Sequence, residues 1–378
     1  MCLTKPADSH AAYRELARHP PPGVSISSPE RAGPALDAGV VARSARRALT
    51  LAGLPNLRPW RSRDVDVVHS CQQLLWTKAS WVVDIEHGSP FVGTDFKRLE
   101  RPATRRTIAK LLLAPNCRAI LPWTETAARA FLVTFGAWPD LRHKIHVVHP
   151  ATAAVDVEEP RRNRGPLRLL FVSNAPEWNF VLKGGREAVA ALKRLRAAGY
   201  DVSLRIVGPI PQAEREKAAA VPGLTFEGRV EFSSVRRFYS EADVYLMPTF
   251  SDTFGMVFLE AMARALPVVA LDRPFTRDIV QHGATGLLVP MPADSVHWCA
   301  PDGTFQMTSD EFVAKIRASR PDERIVDGVA EAVAALGDDP DRRHRLGREG
   351  QREVRSGRFS IEHRNASVGE IYARAAGR

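Results

Sequence analysis

Apolar runs and amphipathic stretches alternate along residues 167–290, and this alternation limits the chain to a narrow set of folds. Short runs rich in β-branched residues, such as "LRLLFVS", "VSLRIVG" and "DVYLMPT", predict buried strands. The stretches between them predict helices, for example "GREAVAALKRLRAAG". Strands that alternate with helices form βα units, which build a parallel α/β sheet. Such sheets bind ligands at the carboxyl ends of their strands.

An earlier block repeats the pattern less regularly. Four of its apolar segments predict strands: "DVVHS" (66–70), "WVVDIEH" (81–87), "RAILPWT" (118–124) and "KIHVVHP" (144–150). The charged segment "EEPRRNRGP" (158–166) is typical of a linker. We therefore predict two Rossmann-like domains facing each other across a cleft, over residues 1–160 and 161–360.

Length, composition and cysteine spacing indicate the number of domains and the compartment in which the chain works. Its 378 residues suit two domains, and no window approaches 18 consecutive apolar residues, so we expect no membrane span. The start "MCLTKPADSH" lacks the apolar run of a signal peptide. The cysteines are far apart and form no CxxC pair, so neither a zinc site nor a disulfide framework is indicated: Cys2, Cys71, Cys117 and Cys299. A reducing cytoplasm fits best.

The formal net charge of +10 leaves several partners open. A basic chain can bind nucleic acid, an anionic membrane surface or phosphorylated substrates. The arginines are scattered with few aromatic residues between them, and no helix-turn-helix or RNA-binding signature occurs. We therefore expect no nucleic-acid partner, whereas peripheral contact with an anionic membrane remains an alternative.

The stretch "SDTFGMVFLEAMARALPVVAL" (251–271) carries two acids, Asp252 and Glu260, on either side of an apolar run. Eight residues of helix span about 12 Å. That is roughly the reach needed to hold a hexose at one end of a ligand and a ribose at the other, with a diphosphate between them. The alternative is a helix-capping Asp and a surface Glu.

The same stretch predicts where this helix begins. The preceding strand ends near Pro248, and we expect the helix to start near Phe254 with Asp252 or Thr253 as its N-cap. The free backbone N–H groups around Gly255 and Met256 then suit an anion.

"DTFGMVFLEAMARALPVV" resembles the donor-binding signature of the GT-B glycosyltransferases, in particular the retaining enzymes of family 4. That signature has two Glu separated by seven residues, followed by an Ala-Met-Ala-x-Gly-x-Pro-Val tail. The resemblance implies that Asp252 contacts the transferred sugar and Glu260 the ribose hydroxyls. The chain departs from it at Asp252, where the family has Glu, and at Ala265, where it has Gly.

"FVSNAPEWNFVLKGGREAVAAL" (171–192) lacks the GxGxxG of nicotinamide-binding folds. It resembles the family's first loop, which brings an Arg and a Lys-Gly pair to the donor diphosphate. Lys183 and Gly184 match that pair, Asn174 occupies the region of the Arg, and Arg186 is an alternative to it. A Lys beside the departing diphosphate would stabilise charge that Mg²⁺ neutralises in other enzymes.

The resemblance extends to three further segments. In "FEGRVEFSSVRRFYSEADVYLMPTFSD" (226–252), Gly228 and Arg229 lie where the family binds the nucleobase. In "ASWVVDIEHGSPF", His87 matches a histidine that approaches the donor sugar from the first domain, and His69 is a weaker candidate. "IEHRNASVGEIYARA" (361–375) resembles the C-terminal helix that crosses back to the first domain, so residues 361–378 complete that domain.

Two features of the N-terminal block differ from this family. The first sixty residues, which fall on the acceptor side, show neither the buried opening strand nor the Gly-rich loop that family members usually have. "RDVDVVHS" contains the DxD of metal-dependent GT-A enzymes, Asp64 and Asp66, but it precedes a strand instead of following one. No Asp, His or Cys cluster has ligand spacing, so we predict no metal site.

Together these patterns predict a metal-independent, retaining, hexosyltransferase-like enzyme (EC 2.4) with no cofactor. Its donor would be a nucleotide-sugar such as a UDP- or GDP-sugar, and its acceptor a glycan, a lipid or a small molecule. We place it in the cytoplasm, with the inner face of the membrane as an alternative. The rival hypotheses are a catalytically inactive nucleotide-sugar-binding or scaffold protein and a basic nucleic-acid binder.

Overall fold

The described part of the computed structural model divides into two compact units. It covers residues 1–29, 55–60, 65–88, 90–92, 95–157, 165–173 and 176–377. The first unit comprises residues 1–151, 299–310 and 361–378, and the second comprises residues 152–298 and 311–360. Nothing in the sequence pattern predicts that residues 299–310 belong to the first unit.

The described strands are β1 (Cys2–Leu3), β2 (Leu57–Pro59), β3 (Val68–Cys71), β4 (Leu74–Trp76), β5 (Trp81–Ile85), β6 (Cys117–Pro122), β7 (Leu167–Val172), β8 (Val202–Val207), β9 (Leu224–Gly228), β10 (Val244–Met247), β11 (Val268–Asp272) and β12 (Gly286–Pro290). The described α-helices are α1 (Ala11–Arg18), α2 (Pro102–Leu113), α3 (Glu125–Thr134), α4 (Asn179–Leu182), α5 (Gly185–Ala197), α6 (Gln212–Ala218), α7 (Phe232–Glu241), α8 (Met256–Met262), α9 (Pro274–Ile279), α10 (Ser309–Ala318), α11 (Glu323–Asp338), α12 (Pro340–Arg355) and α13 (Ile361–Ala375). Short 3-10 helices cover Ala7–Ser9, Pro90–Val92, Phe96–Glu100 and Pro139–Lys144.

The first unit is built on a parallel sheet with the strand order β1-β3-β5-β6, and β2 and β4 form a separate parallel pair. Every residue of β3 and β5 is buried, as expected for parallel strands covered on both faces. Ile108 of α2 and Phe131 of α3 pack into a core that also holds Trp81 and Ile120. The predicted helices over "ATRRTIAKLLL" and "ETAARAFLVTFG" are thus confirmed, and the C-terminal helix α13 belongs to this unit as predicted.

The second unit is built on a six-stranded parallel sheet with the order β12-β11-β10-β7-β8-β9. This is the doubly wound order 3-2-1-4-5-6 of a Rossmann fold, because β7 is its first strand in sequence. The order of the strands reverses between β7 and β10, which are hydrogen-bonded neighbours. The loops that follow these two strands therefore flank the crevice where such sheets bind ligands.

Two predictions for the N-terminal block are wrong. Cys2 and Leu3 do form an opening strand, half-buried at Cys2 and buried at Leu3, in register with Val68 and His69, but two residues are too few to show a period. "KIHVVHP" forms no strand: it lies beside β6 with a single bridge between Ile145 and Ile120. Residues 30–54, which make up much of the atypical N-terminal segment, lie outside the described residues.

Within the described ranges, none of the helices combines the length and the apolar character that crossing a membrane requires.

Candidate active site

Lys183 and Asp252 meet at the carboxyl edge of the second unit's sheet. Lys183 follows α4, in the connection after β7, and Asp252 lies in the loop after β10. The Lys183 Nζ donates to the Asp252 Oδ2 at 2.8 Å and to the Ser251 carbonyl at 2.7 Å. The two side chains are only 17% and 14% exposed. Two residues chosen from separate motifs thus form a largely buried ion pair at the reversal point of the sheet.

Gly184 makes this approach of the two loops possible. Its φ is +78°, a left-handed conformation that favours glycine, and a Cβ there would lie 2.0 Å from the Pro248 carbonyl oxygen. The Phe250 N–H also donates to the Leu182 carbonyl at 2.9 Å. Gly184 is therefore required by packing between the loops, independently of any ligand.

The helix after Asp252 begins later than predicted. It starts at Met256, and its N-cap is Gly255 with φ of +78° and no side-chain capping bond. The prediction that Asp252 or Thr253 caps this helix is wrong, because the Asp252 carboxylate binds Lys183 instead. The side chain of Phe254 is buried and meets Phe359 edge-on.

Glu260 lies on α8 and is held by a buried tyrosine pair. The Tyr239 hydroxyl donates to the Glu260 Oε2 at 3.2 Å. The Tyr239 ring stacks on that of Tyr245 at 5.6 Å between centroids. Burial is the main cause that raises the pKa of both phenols well above the ordinary value, and nearby negative charges raise it further. Both phenols therefore stay neutral. After burial, the charges of Glu260 and Asp252 also contribute to the raised pKa of Tyr245.

These tyrosines are functional candidates that sequence reasoning missed. Both lie in "RRFYSEADVYLMP", which contains none of the predicted site residues. Each is less than 2% exposed. A buried Tyr hydroxyl needs a polar partner. Two tyrosines in an apolar segment are therefore the signal that could have indicated a carboxylate beside them.

Gly228, Arg229 and Arg186 have no described hydrogen bond to Lys183, Asp252 or Glu260. Gly228 ends β9 with φ of +67°, and a Cβ there would meet nothing within 4 Å. Arg229 beside it is exposed. Asn174 lies outside the described residues. Arg186 is engaged elsewhere, since its guanidinium donates to the Glu214 carboxylate at 2.6 and 3.0 Å, so it is a poor substitute for the family's Arg.

His87, in the first unit, is packed among aromatic rings. Its imidazole meets the edges of Phe96 and Phe305 at 5.6 and 5.0 Å, and these two rings stack on each other at 4.4 Å. Burial lowers the pKa of His87 to about 4. His87 is therefore neutral near pH 7, where it can form hydrogen bonds but carries no proton to give as an acid.

His69 is a buried part of the first unit's interior. Its Nδ1 lies 2.5 Å from the Tyr372 hydroxyl, and its Nε2 lies 3.7 Å from the Asp84 carboxylate. Both partners are buried, so His69 serves the structure of the first unit.

Metal ligands do not cluster in the described part of the chain. No group of three or more His, Cys, Asp or Glu side chains there could hold an ion. Asp66 of the DxD sequence is exposed, and Asp64 falls outside the described residues.

Sequence comparisons place the site within a known domain type. Residues 166–299 match the family "Glycosyl transferases group 1". A sulfoquinovosyl transferase of Arabidopsis thaliana is 31% identical over 34% of this chain and 27% of its own length. A phosphatidyl-myo-inositol mannosyltransferase of Mycobacterium leprae is 26% identical over 83% of this chain and 82% of its own length. In contrast, the first two curated relatives, the sulfoquinovosyl transferase and a phosphatidyl-myo-inositol mannosyltransferase of Mycolicibacterium smegmatis, are matched over only 27% and 29% of their own lengths.

Solved structures define the fold. Anabaena HepE in complex with UDP and glucose superposes with a TM-score of 0.59 at 13% identity, covering 99% of this chain and 98% of that one. The pneumococcal O-GlcNAc transferase GtfA in complex with UDP and GlcNAc gives 0.59 at 14% identity, covering 88% and 60%. The chain has the GT-B fold, with two Rossmann-like domains. Its second unit contains the segment that matches the group 1 glycosyltransferases.

Proposed function

We propose that this protein is a retaining glycosyltransferase that moves a sugar from a nucleotide-sugar to an acceptor without a metal ion. The observation that carries the proposal is the Lys183–Asp252 ion pair, at the reversal point of a sheet whose segment matches the group 1 glycosyltransferases. Two proteins of the same fold are described in complex with UDP, which supports a UDP-sugar as the first donor to test.

Glu260 is proposed to bind the ribose. The Tyr239 hydroxyl bonds one of its oxygens, which fixes the orientation of the carboxylate. A carboxylate accepts hydrogen bonds only, so it suits the two hydroxyl donors of a ribose. Tyr239 is then a positioning residue that acts through Glu260.

Lys183 is proposed to hold the diphosphate. A diphosphate carries more negative charge than one carboxylate, so it competes with Asp252 for the ammonium group. Charge on the leaving diphosphate grows in the transition state, and a fixed cation beside it lowers the barrier. Asp252, once released from Lys183, would accept hydrogen bonds from the transferred sugar.

Retention is proposed to follow front-face attack, in which the leaving diphosphate takes the proton of the acceptor hydroxyl. A protein nucleophile is the other route to retention. Asp252 is a poor candidate for that role, because its carboxylate is held by Lys183 at 2.8 Å. The residues of the site then act by positioning and electrostatics.

A catalytically inactive nucleotide-sugar-binding protein is the second candidate. The same ion pair favours it, because a lysine already neutralised by a carboxylate is less able to bind a diphosphate.

One experiment separates these candidates. The purified protein is incubated with UDP- and GDP-sugars and a panel of glycan, lipid and small-molecule acceptors, and free nucleoside diphosphate is measured. Release above the no-protein rate, reduced in Lys183→Ala, supports the enzyme. Nucleotide binding by calorimetry without any turnover supports the binding protein, and absence of both refutes the two together.

A further inference from the structure

Two adjoining cavities in the second unit lie apart from the donor residues. One has a volume of about 360 Å³ and lies beside α5, α6 and the end of α10. The other, of about 210 Å³, lies beside α5, the start of α11 and the turn at residues 294–296. They share Arg186, Ser319 and Arg320 as lining residues. Neither Lys183 nor Glu260 is among the residues described as lining them.

The walls of the larger cavity are held in place by Arg186. Its guanidinium donates to the Glu214 carboxylate of α6 and to the backbone carbonyls of Arg317 and Ser319, the latter two at 3.2 and 2.8 Å. This one side chain therefore joins α5, α6 and the segment after α10. The cavity is a fixed feature of the unit.

The wall of the smaller cavity is fixed by a second arginine. Arg324 forms ion pairs with Asp294 at 2.9 Å and Asp322 at 2.8 Å. The Ser295 hydroxyl also donates to Asp322 at 3.2 Å. These contacts offset one of the two aspartate charges and tie the turn at residues 294–296 to the start of α11.

The rim of the larger cavity is basic and its floor is apolar. Besides Arg186, four cationic side chains line it: Lys193, Lys217, Arg317 and Arg320. Glu214 is the one acidic residue that lines it, and its carboxylate is already occupied by Arg186. The charge that these described residues leave uncompensated is positive, which suits an anionic group such as a phosphate.

Glu187 gives the smaller cavity a hydrogen-bond acceptor without a partner. It is 5% exposed, and its Oε2 is buried with no hydrogen bond from any described residue. Burial raises the pKa of this carboxyl to about 7. A buried polar atom without a partner is costly, so natural proteins rarely keep one unless it meets a ligand, an ion or a water. A ligand hydroxyl reaching this cavity would satisfy it.

We propose that the two cavities form one binding site for a phosphorylated polyol, such as a sugar phosphate. Arg320 and its basic neighbours bind the phosphate, and Glu187 accepts a hydrogen bond from a hydroxyl of the polyol. The shared lining residues allow one ligand to reach both groups. Val181 and Phe250 in the smaller cavity provide apolar surface for the C–H face of a sugar ring. This site is a second ligand site beyond the proposed donor site.

Calorimetry on the full chain with glucose 6-phosphate as the probe tests the proposal. We expect saturable binding, weakened about tenfold or more in both Arg320→Ala and Glu187→Leu, because each loses one group that contacts the ligand. Arg345→Ala, which removes an exposed charge from α12, should bind normally. Glucose alone and inorganic phosphate alone should bind far more weakly than the combined probe.

Folding and the donor site are controlled in the same samples. Glu187→Leu removes an unsatisfied buried oxygen, so its unfolding temperature should equal or exceed that of the unaltered chain. UDP affinity should stay within about twofold in these variants, which separates failure of this proposal from failure of the donor-site assignment. Absence of saturable glucose 6-phosphate binding up to about 10 mM overturns the proposal. Binding unchanged by Glu187→Leu, or inorganic phosphate binding as tightly as the sugar phosphate, also overturns it.

Discussion

The Lys183–Asp252 ion pair makes a prediction that separates folding from catalysis. Both side chains are less than a fifth exposed and their charged atoms lie 2.8 Å apart. Removing one partner of a fully buried pair costs about 3–5 kcal/mol, whereas exposed pairs contribute about 0–1 kcal/mol. For this partly buried pair we expect Lys183→Ala to lower the free energy of unfolding by about 2 kcal/mol. Lys315→Ala, on the exposed face of α10, should change it by less than about 0.5 kcal/mol.

A double-mutant cycle with Asp252→Asn isolates the interaction. The variant carrying both changes leaves no unpaired buried charge, so it should recover at least about 1 kcal/mol of the loss in urea unfolding. Turnover should respond differently: Lys183→Ala should lower the rate about a hundredfold, and Asp252→Asn should not restore it. A coupling energy near zero would refute the structural reasoning. Turnover recovering together with stability would refute the catalytic role of Lys183.

Three further predictions concern other residues of the chain. Glu260→Gln should weaken UDP binding about tenfold or more in calorimetry with the unfolding temperature retained, and unchanged affinity excludes the ribose assignment. Gly184→Ala should destabilise the protein by about 2–4 kcal/mol, whereas Gly199→Ala, at φ of +88° with open space around it, should cost about 1 kcal/mol; equal losses would show that the contact with Pro248 is unimportant. Because the folded pKa of His87 lies below that of the unfolded chain, the stability due to this neutral ring is present above pH 6.5 and lost as the pH falls toward 4. His87→Phe should reduce that acid sensitivity in unfolding curves, and an identical pH dependence in the variant would contradict the burial argument.

Three central strands of the second unit's sheet could be predicted from sequence because each is a short apolar run that the structure buries in part or in full. The predicted strands "LRLLFVS", "VSLRIVG" and "DVYLMPT" are confirmed as β7, β8 and β10, since a parallel sheet covered on both faces favours continuous apolar residues. "KIHVVHP" has the same composition, but the His146 and Val148 N–H groups donate to β6 without a continuous ladder. The apolar composition of a segment indicates that it is buried, but it does not indicate whether a neighbouring strand pairs with it.

Local chemistry at the site was harder to predict than its location. Asp252 follows a strand as predicted, but the N-cap prediction assumed that an Asp before a helix bonds that helix. Lys183 comes from a loop almost seventy residues earlier and takes the carboxylate first. Which cation lies nearest to Asp252 depends on how distant parts of the chain fold together, and the segment around Asp252 does not contain that information.

The buried tyrosine pair bears on how the acids of the site are held. Tyr239, on α7, bonds Glu260 directly, and the Tyr245 hydroxyl, on β10, donates to the Met247 sulfur. Both phenols remain neutral, so Tyr239 gives Glu260 a hydrogen-bond donor without adding charge. A neutral donor fixes the orientation of a carboxylate at no cost in charge. The Lys183 ammonium offsets the charge of Asp252, and the Tyr239 hydroxyl holds Glu260. On this reasoning the tyrosines belong to the positioning of the site as much as to the hydrophobic core.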